Sequence, residues 1–65
     1  MLTGTVTEFD EARGLGTVIS EDGRQWPFQV IEIADGTRSI DIGRPVVFEP
    51  LPKFGRMQAG RIHKL

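Results

Sequence analysis

The chain contains no cysteine and one histidine, His63. Without cysteine there is neither a disulfide framework nor a thiolate zinc site to staple the fold. One histidine is too few for a histidine metal cluster, and no Ser-His-Asp or Cys-His set is legible. A catalytic role, a metal and a cofactor are therefore not expected. No apolar run approaches membrane-spanning length, so no membrane association is expected. Met1-Leu2-Thr3-Gly4 lacks the basic and apolar regions of a secretion signal, which together with the missing cysteine implies a cytoplasmic protein. There is also no excess of charge. The net value is −1 over 65 residues, which argues against strong unspecific attraction to nucleic acid or anionic membrane.

What is present suffices for one small domain over residues 1–65, because 38% of the residues are apolar, close to the ordinary globular share. The charge is unevenly placed. Residues 1–49 carry four arginines against nine acids, whereas residues 50–65 carry Lys53, Arg56, Arg61 and Lys64 and no acid. The C-terminal end is thus basic and the remainder acidic.

Eight glycines and four prolines interrupt the chain too often for a helix of ordinary length, about 11 residues. The apolar period is two, which is the strand signature. The pattern predicts strands at Leu2–Phe9, Leu15–Ser20, Gln25–Val30, Arg44–Glu49 and Met57–Leu65, with a long connection over 31–43. Gly4 and Val6 share a face that Phe9 leaves by parity, so a bulge near Glu8 is needed to turn Phe9 inward. Asp22-Gly23 is a hairpin signal. Pro27 demands an edge strand or an outward-facing residue 27. Pro50-Leu51-Pro52 is expected to end the fourth strand, with Phe54-Gly55-Arg56 as a loop tip. Five short strands cannot leave a flat sheet stable at this size. Closure into an all-β, five-stranded antiparallel Greek-key barrel of the oligonucleotide-binding (OB) type solves that problem.

Arg13-Gly14-Leu15-Gly16-Thr17-Val18 resembles the second strand of bacterial cold-shock domains, which reads Lys-Gly-Phe-Gly-Phe-Ile. Gly4, Val6, Phe9, Gly14, Gly16, Val18, Ile33, Gly43, Val46, Phe48, Gln58, Ala59 and Ile62 extend the resemblance along nearly the whole chain. These are turn and core positions, so the resemblance implies the barrel. It also implies binding of single-stranded DNA or RNA on a sheet face where aromatic side chains stack on bases, since every base offers a π-face. The positions that match those aromatics and their neighbours are occupied here by Glu8, Thr7, Leu15, Thr17, Pro27, Gln29 and Val30. Base-on-aromatic stacking is worth ~1–3 kcal/mol per base. Losing four stacks at the low end removes roughly 4 kcal/mol, about a thousandfold in affinity.

Two functional classes follow. One is a weak binder of single-stranded RNA or DNA whose contact set is Arg13, Leu15, Thr17, Gln29, Lys53, Phe54, Arg56 and Arg61. Here Phe54 would stack a base between flanking cations; its alternative is to fold over the barrel mouth while Lys53 and Arg56 solvate a hairpin. The other class is a protein-interaction or self-association module, a homodimer included, which uses the mildly apolar face of Leu15, Thr17, Pro27, Gln29 and Val30 beside Glu8. The acidic first strand, with Glu8, Asp10 and Glu11, favours the second class by opposing phosphate. Strand parity puts Phe28 in the core, while Trp26 either joins it or caps an open end with its indole edge wet. His63 reads as exposed and inert. Asp22 and Asp35 precede a glycine and Asp41 stands one residue from one, where turn chemistry explains them better than metal binding.

Overall fold

Val6 and Phe9 are three residues apart, so a regular strand would send them to opposite faces. In the computed structural model, which describes residues 1–53 and 55–65, strand β1 (Leu2–Asp10) resolves this conflict with a bulge. Val6 pairs with Val18 and Glu8 with Thr17 of β2 (Leu15–Ser20), leaving Thr7 as the extra residue. Phe9 is thereby turned against the core and Glu8 is left exposed. After Asp22-Gly23, where Gly23 takes φ +88°, β3 (Gln25–Gln29) returns along β2. This strand carries Pro27 and lies at one edge of the sheet, where the missing N–H is tolerated.

The third strand stops one residue before the expected end. Val30 opens a single 3-10 turn, Val30–Glu32, and is buried, so it belongs to the core rather than to the apolar surface face. The connection that follows buries Ile33 and Ile40, and then β4 (Pro45–Lys53) pairs antiparallel with β1. β4 does not end at Pro50. It continues through Pro50 and Pro52, which pair with Ala59 and Met57 of β5 (Arg56–Lys64). Neither proline can donate to β5, so the ring nitrogens face the opposite edge. β1 covers that edge only from Leu2, opposite Phe48, so no ladder bond is lost.

The five antiparallel strands form one sheet in the order β3-β2-β1-β4-β5. The sheet is curled, since Trp26 of β3 meets Phe48 of β4 edge-on at 5.4 Å although two strands separate them in the sheet. Among the described residues no ladder joins the edge strands β3 and β5. The connection that follows β3 reaches β5 instead, through an isolated parallel bridge from Ile33 to Ile62 and the Ala34 N–H donating to the Ile62 carbonyl at 2.8 Å. Val6, Val18, Val46, Phe48, Ala59 and Ile62 are fully buried and form the centre of the core with Phe28.

Trp26 is 4% exposed, so it joins the core and its indole edge is dry. Its Nε1–H donates to Ser20 Oγ at 2.9 Å, and the Ser20 hydroxyl donates to Asp22. The Ser20 hydroxyl and the Arg24 amide together hold the Asp22 carboxyl below its ordinary range. Arg24 lies over the indole face, 5.0 Å from its centroid.

Asp35 also serves a turn. It accepts from the Thr37 hydroxyl at 2.7 Å and the Thr37 N–H at 3.0 Å, and Lys64 Nζ of β5 lies 3.2 Å away. The Thr37 hydroxyl, then the Thr37 amide, then Lys64 depress its pKa to about 2 from 3.8. A carboxyl depressed in the folded state adds stability that is complete above its unfolded pKa and is lost as pH falls through the folded one. The contribution of Asp35 is therefore expected to disappear between about pH 4 and pH 2. Thermal unfolding of the parent and of Asp35→Asn checks this: acidification across that window should lower the melting temperature more in the parent. Equal decreases would show that the carboxylate does not hold the connection to β5.

Candidate functional site

Four uncharged, non-aromatic side chains on adjoining strands border the largest part of the candidate site. Leu15 and Thr17 on β2 pair across the ladder with Gln29 and Pro27 on β3. Beside them lies an open groove of about 400 Å³. Gly16, Phe9 and Phe28 also line it, the two rings stacking with centroids 6.1 Å apart and planes 6° from parallel. A Cβ on Gly16 would stand 2.6 Å from Phe28 Cε1 and 2.7 Å from the Glu8 carbonyl oxygen, so only glycine allows this approach. Gln58 of β5 completes the lining. The groove thus joins both ends of the sheet order.

Its charged lining consists of Glu8 and Asp10, which flank Phe9 beyond the bulge. Among the described residues no lysine or arginine lines it. Basic groups stand next to it instead. Arg56 precedes Gln58 by two residues on the same strand and so leaves the strand on the same side. Lys53 is its cross-strand partner. Like charges placed directly opposite on a ladder repel. Among the described residues neither cation makes a salt bridge, since the three ion pairs are Arg24–Asp22, Arg61–Glu49 and Lys64–Asp35.

Of the eight residues expected to act together, the structure brings Leu15, Thr17 and Gln29 to the groove and Lys53 and Arg56 to the adjacent hairpin. Arg61 does not join them. It lies five residues along β5 from Arg56, about 16 Å at 3.3 Å per residue. It is the extra residue of a second bulge, where Val47 pairs with His63 but Glu49 with Gly60. Its φ is +48°, its N–H donates to Glu32 Oε1 at 3.2 Å, and its guanidinium is 3.8 Å from Glu49. Two carboxylates therefore engage it away from the groove. Arg13 is exposed in the turn between β1 and β2, where its N–H donates to Asp10 Oδ1 at 3.2 Å. Phe54 lies outside the described residues.

Sequence reasoning missed Phe9, Asp10, Phe28 and Gln58 as groove residues. The parity break at Phe9 was the available signal for that side of the groove. Gln58 carried none, because local pattern does not reveal which strands at opposite ends of a sheet will meet. His63 is exposed, opposite Val47. Among the described residues no three His, Asp or Glu side chains gather as a metal site, and no helix is long and apolar enough to cross a membrane. Compared with known proteins, the chain matches no protein-family model and no curated sequence.

Proposed function

We propose that the sheet is a barrel of the OB type, similar to cold-shock domains, and that the protein is a weak binder of single-stranded nucleic acid. The barrel reading is supported by the strand order, by the contact of Trp26 with Phe48, and by the Ile33–Ile62 bridge that ties the connection after β3 to β5. One observation carries the binding reading. Lys53 and Arg56 form a like-charge cross-strand pair on the side of β5 from which Gln58 lines the groove. An anion beside them relieves their repulsion, and phosphate is the anion that a strand with its bases on Leu15, Thr17, Pro27 and Gln29 would supply. Glu8 and Asp10 line the groove itself, so the phosphates run on the hairpin side.

Without stacking aromatics the affinity is low and mostly electrostatic. Each phosphate contact to a single strand contributes about −0.7 to the slope of log affinity against log salt. Arg56→Ala is expected to weaken a short labelled pyrimidine strand severalfold in anisotropy titrations and to flatten that slope by about 0.7. Absence of binding by the parent protein at low salt and millimolar oligonucleotide would refute the function. Binding that Arg56→Ala leaves unchanged would refute the site.

A further inference from the structure

We infer that the protein pairs with a second copy of itself through a two-fold contact that sets the Lys53–Arg56 hairpin of each copy against the Glu8–Asp10 wall of the other copy's groove. This does not rest on the nucleic-acid reading. The two halves of the contact carry opposite charge, and neither is matched within the chain: among the described residues none of Lys53, Arg56, Glu8 and Asp10 belongs to an ion pair. Asp10 has one oxygen on the Arg13 N–H, which leaves its charge facing outward.

The halves are also neighbours. Gln58 lines the groove and Arg56 is two residues ahead of it, so a single patch holds both the basic tip and the acidic wall. A patch that carries both halves of a complementary pair is self-complementary. A two-fold axis then satisfies both at once and closes the assembly at two copies. Apolar surface in the same patch supports the contact, since Leu15 on the groove wall is 42% exposed. The net charge of −1 gives the copies little overall repulsion.

Sedimentation velocity across a concentration series, at low and at high salt, reads the prediction. The expected result is a reversible monomer–dimer equilibrium whose dissociation constant rises by about tenfold or more with salt, as exposed charges are screened. Glu8→Arg and Arg56→Glu should each give a monomer, with folding of these surface variants verified by Trp26 fluorescence. Mixing the two variants in equal amounts should restore the dimer, because one contact then keeps the parent charges while in the other the charges at positions 8 and 56 are exchanged. Monomers at every concentration and salt would overturn the inference. So would a dimer that persists in either single variant, or variants that stay monomeric when mixed.

Discussion

Phe48→Ala is expected to lower the stability of the fold by about 3–5 kcal/mol. Phe48 is fully buried on β4, packs edge-on against Trp26 of β3, and lies opposite Leu2 of β1. Truncating a buried phenylalanine costs about 3–5 kcal/mol, through lost transfer free energy and the cavity left behind. Domains have about 0.05–0.15 kcal/mol of stability per residue, which for this chain is roughly 3–10 kcal/mol. The substitution therefore removes about 30% of the stability near the upper bound, and near the lower bound all of it. Collapse around the cavity is limited, because the side chains that would move in are themselves buried and already in contact. Urea unfolding followed by far-ultraviolet circular dichroism and by Trp26 fluorescence gives the number. Ile42→Ala is the control: Ile42 is 66% exposed, and its loss should cost about 0.5 kcal/mol or less. A cost for Phe48→Ala below about 1.5 kcal/mol would mean that the sheet does not curl around this ring.

The curl is also where sequence reading reaches its limit. Period-two patterns located all five strands, and the parity conflict between Val6 and Phe9 located the bulge to within one residue, because both depend on neighbours along one chain. Pro27 left an edge strand or an outward-facing residue 27, and β3 lies at the edge. Pro50 and Pro52 were misread because the cost of a proline depends on which side of β4 is paired. That is decided by β1 beginning at Leu2, more than forty residues earlier. Trp26 was undecided between core and rim. Its burial depends on Ser20, six residues away on another strand, accepting from the indole, and on Phe48 reaching it from β4. The candidate site divides in the same manner. Leu15, Thr17 and Gln29 were legible from alternation on paired strands. Arg61 was grouped with Lys53 and Arg56 by composition, and the bulge that carries it toward Glu49 and Glu32 has no local signature.

Gly16→Ala is the second large effect, and it separates the groove from the fold that supports it. Gly16 pairs with Phe28 across β2 and β3, and the added methyl would strike the Phe28 ring and the Glu8 carbonyl. Neither can retreat cheaply. The ring is 1% exposed and stacked on Phe9, and the carbonyl belongs to the β1 backbone just past the bulge. Overpacking of this kind costs about 1–3 kcal/mol. Gly23→Ala tests whether the cost is steric. Gly23 has φ +88° but open space around its Cα, so the same methyl there meets only the left-handed backbone penalty, about 1–2 kcal/mol. The expected difference lies in where the change appears. Amide resonances of Phe9, Leu15, Thr17 and Gln29 should move in Gly16→Ala while those of the Asp22 turn stay, and the reverse should hold in Gly23→Ala. A Gly16→Ala variant as stable as the parent, with the groove resonances unmoved, would show that Phe28 does not press on this strand. The groove would then need another origin than the close approach that glycine permits.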